Sequence, residues 1–138
     1  MIRNTLVLLC GILLGSTANM LIIMLGGELI PPPEGVDVTK VDSIAESIHL
    51  YETKHFIAPI LAHAIGTLTG AFFVTKLASS HHFPFAMFVG GLYLLGGITM
   101  AFQISSPLWF TVVDLICAYI PMAWFGYRFA TRTDTQKF

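Results

Sequence analysis

Apolar residues run almost unbroken through four stretches of the chain, residues 5–25, 56–75, 84–104 and 107–127, and polar residues collect between them. At about 1.5 Å of rise per residue, some 20 residues of helix cross a hydrocarbon core about 30 Å thick. The pattern predicts an all-α membrane protein, an up-down bundle of four transmembrane helices in a single integral membrane domain spanning residues 1–138. Two connections are short, residues 78–83 and a Ser105-Ser106-Pro107 turn. Such brevity makes the last two helices antiparallel neighbours.

The longest connection, residues 26–55, opens with Gly26-Gly27 and Pro31-Pro32-Pro33, which break a helix and favour an extended exit. Further on, Ser43 with Glu46 three residues later resembles a capping box, and Val41, Ile44, Ala45, Ile48 and Tyr51 recur at helical spacing. This predicts a short amphipathic helix over about 41–51, lying on the outer membrane surface. Asp37, Asp42, Glu46 and Glu52 read as its solvated face, with cation binding the weaker alternative.

Composition supports the membrane assignment. Hydrophobic residues make up 55% and charged residues 11%, with a mean hydropathy of +0.77, against about 25% charged in ordinary soluble domains. The net charge of −1 offers no basic surface for nucleic acid, and no Gly-rich loop precedes a Lys-Ser or Lys-Thr pair. Of the seven basic residues, Arg3, Lys76, Arg128, Arg132 and Lys137 fall on one side of the helices, and Lys40 and Lys54 on the other. This asymmetry predicts cytoplasmic termini and an external first loop. Aromatic residues sit where interfacial belts belong, Tyr51, Phe56, Trp109 and Phe110 outside, and Phe83, Phe85, Trp124 and Tyr127 inside. Arg3 and Ser16-Thr17-Ala18 imitate a signal peptide, but the apolar run continues to Leu25, so the first helix is expected to be retained. Cys10 and Cys117 lie within apolar runs without metal or redox spacing.

Helices in lipid associate through small residues and hydrogen bonds. Gly11 and Gly15 form a GxxxG in the first helix, Ala62, Gly66 and Gly70 a ladder in the second, and Gly90-Gly91 with Gly96-Gly97 a smooth face on the third. Packing within the bundle accounts for them, and self-association through an unused face is the alternative.

Three polar residues interrupt the runs, Asn19 in the first helix, His63 in the second and Asp114 in the fourth. Counted along each helix, they share one layer about 4 to 6 Å outside the midplane. A carboxylate at that depth costs about 2.5 to 3.5 kcal/mol even on the lenient scale, so Asp114 requires a partner. A His63–Asp114 pair, with Asn19 completing its hydrogen bonds, would satisfy all three. Such a layer serves as a proton-accepting pair, as the polar wall of a transport or binding cavity, or as interhelical contact alone. The absence of a continuous polar file to either surface favours contact, whereas Pro121, which bends the fourth helix near Asp114, favours function. His49, His55, His81 and His82 fall in loops, so no cofactor and no metal site is expected, and bis-histidine haem lacks a second buried ligand.

The segments PPPEGVDVT at 31–39, KHFIAPILAHAIGTLTGAFF at 54–73 and PLWFTVVDLICAYIPMAWFG at 107–126 resemble a family of small four-helix inner-membrane proteins of bacteria. The resemblance covers most of the chain and implies the bacterial plasma membrane but no activity. The early membrane glutamate of small multidrug exporters, the paired cysteines of quinone-linked disulfide enzymes and the motif of fluoride channels are missing. The expected function is that of a non-catalytic accessory subunit, whose partners are the bilayer and either itself or another membrane protein. The alternative is a small transporter or channel using His63 and Asp114. An enzyme ranks third, since no nucleophile–base pair is readable.

Overall fold

A computed structural model describes residues 2–135, and every regular element among them is helical. Helix α1 spans Ile2–Leu29, α2 Val41–Ser47, α3 Ile57–Leu77, α4 His82–Gln103, α5 Leu108–Cys117 and α6 Ile120–Thr135. Among the described residues, four segments are long and apolar enough to cross a membrane: Ile2–Leu29, Thr53–Leu77, His82–Gln103 and Leu108–Arg132. Leu13, Leu95 and Ile116 are 67%, 63% and 64% exposed, so the apolar girdle faces outward, as lipid requires and water penalises.

Three boundaries differ from the sequence reading. Helix α1 runs through Gly26-Gly27, with the Ile30 amide donating to the Gly26 carbonyl at 2.8 Å, and stops only at Pro31. Two glycines cost a helix about 0.5–1 kcal/mol each, which packing offsets, whereas a proline cannot be accommodated there. The bare flank of Gly26 lies against Ala58, where a Cβ would collide with that side chain.

The second difference concerns α2. It begins at Val41 after Lys40, without a side-chain cap, and the Ser43 hydroxyl instead accepts the Asp37 amide at 3.0 Å. Asp37 is itself organised as a turn, its Oδ1 accepting the Thr39 amide at 3.0 Å and the Thr39 hydroxyl at 2.6 Å. Those bonds hold its carboxyl below the usual value of 3.8. A 3₁₀ turn, Ile48–Leu50, follows α2, and a second one, Thr53–Phe56, leads into α3, with the Glu52 amide donating to His55 Nδ1 at 2.9 Å.

The third difference is a break in the last apolar run. α5 ends at Cys117, and α6 starts at Ile120 with Pro121 in its first turn. The proline ring excludes the Cys117 carbonyl and supplies no amide hydrogen, but a first helical turn leaves that hydrogen unused.

Helix α3 is central and packs against α1, α4 and α6. A Cβ on Gly11 would strike Val74, one on Gly15 would lie 2.6 Å from the Gly66 carbonyl, and one on Gly66 would lie 2.8 Å from the Gly15 carbonyl. The backbones of α1 and α3 therefore touch, with residue numbers descending on one helix as they rise on the other. Gly70 faces the Gly11 carbonyl and Val89 in the same way, and Ala62 is fully buried on α3. On the other side of α3, Ala71 meets Ala86 of α4 and Ala123 of α6 in a core of small side chains.

At one end of the bundle, Asn4 Oδ1 accepts from the Ser79 amide at 3.0 Å and the Ser79 hydroxyl at 2.7 Å. Arg3 donates to the Leu77 carbonyl beside it. At the opposite end, Phe56 packs edge-on or tilted among Tyr51, Trp109 and Phe110, with ring centroids 6.0, 5.6 and 4.8 Å away. These contacts hold the segment after α2 across the helix tops.

Candidate functional site

His63 on α3 and Asp114 on α5 face each other, Nδ1 to Oδ1 at 2.8 Å. The second carboxylate oxygen, Oδ2, accepts the Tyr119 hydroxyl at 3.0 Å. Tyr119 also lays its ring against the imidazole, with centroids 5.7 Å apart and planes 27° from parallel. The carboxylate is 4% exposed and both oxygens are engaged, so the cost of placing it here is met by a donor on each side.

Tyr119 reaches Asp114 because the helix breaks between them. On a continuous helix, side chains five residues apart point about 140° away from each other. The break at Ala118 and Tyr119 swings the phenol back under the carboxylate. Gly97 on α4 makes room for it, since a Cβ there would lie 2.7 Å from Tyr119 Cζ.

This cluster forms the deep end of a cavity of about 710 Å³. The volume falls within the roughly 300–1,000 Å³ of sites that hold drug-sized ligands. Its walls come from α1 (Ile23, Gly26), α4 (Leu92, Gly96) and α5 (Phe110, Leu115), and side chains of the first loop, Ile44, Ile48 and Tyr51, line its loop end. Of these three, Ile44 belongs to α2, and Ile48 and Tyr51 come from the segment that follows it. Since Nδ1 is held by Asp114, the free Nε2 of His63 is the ring atom available to a ligand. It accepts when the ring is neutral and donates when it is protonated.

Asn19 on α1 lines the same cavity but makes no hydrogen bond to His63 or Asp114, and Tyr119 supplies the bond that the sequence assigns to it. Its Oδ1 is, among the described residues, the one buried side-chain oxygen or nitrogen without a partner. Beside it, the Tyr93 hydroxyl donates to the Ile12 carbonyl at 2.6 Å and lies 3.2 Å from Ser16 Oγ, tying α4 to α1 below the cavity.

The glycines divide into two groups. Gly11, Gly15, Gly66 and Gly70 are used in the contact of α1 with α3, and Gly97 in seating Tyr119. Gly91 and Gly96 have no neighbour within 4 Å of an added Cβ, and Gly96 borders the cavity. Tyr93 and Tyr119 are the site residues that apolar patterning passes over. A tyrosine within an apolar run carries a hydroxyl that must find a partner, and that is the signal by which they are found. Among the described residues, no three His, Cys, Asp or Glu side chains gather closely enough to hold a metal ion.

No protein-family model matches this chain, and neither a curated protein nor a solved structure is similar to it. Geometry alone carries the functional reading.

Proposed function

We propose that this chain is a small non-enzymatic binding or transport protein of a bacterial inner membrane, and that the cavity above His63, Asp114 and Tyr119 is its substrate site. One observation carries the reading: the fold leaves a ligand-sized space where it has also buried a hydrogen-bonded His–Asp pair. A pair serving only to join α3 to α5 needs no cavity beside it. Here His63 keeps 29% of its side chain exposed, on the cavity side of the bond.

We place the bundle in the membrane as four up-and-down passes, with both termini cytoplasmic and residues 26–55 outside. The basic residues support this orientation. Arg3 lies against the end of α3 next to Lys76, and Arg128 covers the Trp124 ring at 5.4 Å, as interfacial anchors do. The cavity then opens in the outer half, beneath the loop.

The test is accessibility in native membranes after Cys10 and Cys117 are replaced by alanine. Cysteine at Thr99, which lines the cavity, should react with a small membrane-permeant maleimide, and cysteine at fully buried Ala62 or nearly buried Ala118 should not. Equal protection at all three positions would make the region a packed contact and end the proposal.

The accessory-subunit reading rests on a different observation, the open flank of Gly91 beside Phe88, Leu92 and Leu95 on the outer side of α4. Cysteine at Gly91 that crosslinks to a second copy or to another membrane protein would favour it. A monomer with no crosslink would remove it.

A further inference from the structure

We infer that the cavity takes a membrane-dissolved amphiphile whose head is uncharged and carries a hydroxyl or carbonyl oxygen, bound head-down against His63 Nε2 and Asn19. This inference rests on the cavity being a ligand site and names the class of ligand.

The polarity of the walls sets the orientation. Above the deep end the lining is dominated by aliphatic and aromatic side chains from α1, α4, α5 and the loop, which suits a hydrocarbon body. The polar side chains Ser16, Asn19, His63 and Tyr93 line the floor. Of these, Tyr93 is committed to the Ile12 carbonyl, and Asn19 Oδ1 has no partner. A hydroxyl placed there can donate to His63 Nε2 and accept from the Asn19 amide nitrogen, whose neighbouring oxygen is buried, and a carbonyl can accept from that nitrogen or from a protonated His63.

Charge excludes the other head groups. A cationic head would need a free carboxylate, but Asp114 already serves His63 and Tyr119 with its two oxygens. An anionic head would need a free cation, and at this depth the lining provides only an imidazole already joined to a carboxylate. Lys54, higher on the wall, pairs with Glu52 at 3.1 Å. A charged group buried without a counterion carries a penalty of several kcal/mol.

The route comes from the helix arrangement. Helices α1 and α4 make little contact, and the hydrogen bonds of Tyr93 join them below the cavity. Toward the loop end the cavity lies between them, lined by Ile23 and Gly27 of α1 and by Met100 and Ile104 of α4. At the loop end the lining is apolar too, with Ile44, Ile48 and Tyr51. A ligand therefore enters from the hydrocarbon, between α1 and α4.

The test measures equilibrium binding of four radiolabelled probes to the purified protein in micelles: 1-dodecanol, dodecanoate, dodecylammonium and 1-butanol. Each is compared with a Gly96→Phe variant, which fills the cavity from a position with no neighbour within 4 Å. Uptake by the micelle cancels in that difference. 1-Dodecanol should bind saturably at one site, at least tenfold more tightly than either charged probe or 1-butanol, with no binding to Gly96→Phe. Asn19→Leu should weaken it about tenfold, the effect of one hydrogen bond. A charged probe binding as tightly as 1-dodecanol would overturn the head-group assignment, and 1-butanol binding as tightly would overturn the membrane source. Unchanged affinity in Asn19→Leu would overturn the head-down placement. Should no probe bind in a manner sensitive to Gly96→Phe, the cavity is not a ligand site and the functional proposal falls with the inference.

Discussion

Removing His63 and removing Asp114 should damage the protein unequally, and removing both should cost well under the sum of the two. In His63→Leu, a carboxylate that is 4% exposed keeps only the Tyr119 hydroxyl. Stranding one member of a buried pair costs about 3–5 kcal/mol. In Asp114→Leu, the stranded groups are the Tyr119 hydroxyl and a His63 ring whose side chain is 29% exposed beside a cavity that can admit water. Their loss is about 1–3 kcal/mol. The double variant strands only the Tyr119 hydroxyl and should lose about 2–3 kcal/mol in total, cavity formation included. The implied coupling is about 3 kcal/mol, at the upper end for residues in contact. Reversible unfolding in mixed micelles, followed by the helical circular dichroism signal, measures all four proteins. A double variant whose loss equals the sum of the singles within about 0.5 kcal/mol would show that the two side chains do not depend on each other, and would refute the pairing.

Gly15→Ala should lower unfolding stability by about 1–3 kcal/mol, because its Cβ would sit 2.6 Å from both the Gly66 carbonyl and the Tyr93 hydroxyl. Gly96→Ala, with open space around it, should raise stability by about 0.5–1 kcal/mol, and equal effects of the two in a melting assay would contradict the packing described. An NMR titration should find Asp37 below 3.8, with Thr39→Val moving it back toward that value. Because the folded value is the lower one, the stabilisation of the 37–40 turn is complete above pH 3.8 and fades as pH falls through the folded value. An unshifted Asp37 would mean the Thr39 bonds do not persist in solution. A periplasm-active reporter should be silent after Phe138 and active within residues 35–40, and the reverse pattern would invert the proposed orientation.

The four long helices were legible because the requirement that lipid places on a helix is carried by runs of residues rather than by contacts. The glycine spacing indicated where backbones can meet, and Gly11, Gly15, Gly66 and Gly70 now lie between α1 and α3. Depth along the helices put His63 and Asp114 at one level, and a 2.8 Å hydrogen bond joins them. The partner of Asp114 Oδ2 was not legible, since Tyr119 reaches it only through the break that Pro121 imposes, and a helical count places the two on different faces. Gly26-Gly27 misled for a related reason. Local propensity weighs a glycine by its own cost, while the close passage of Ala58 that repays it is a long-range fact. Ser43 was similar, its hydroxyl being taken by the Asp37 amide from outside the helix it was expected to cap. The cavity left no mark in the sequence, because it is formed by what α1 and α4 fail to touch.

The central claim, that the space above His63, Asp114 and Tyr119 holds a small molecule, is tested most directly by native mass spectrometry of the protein extracted from its own membranes in mild detergent. The wild-type chain should carry a bound small molecule at a constant mass increment, and the Gly96→Phe chain, folded to the same helical content, should not. Identical spectra from the two proteins would contradict the account.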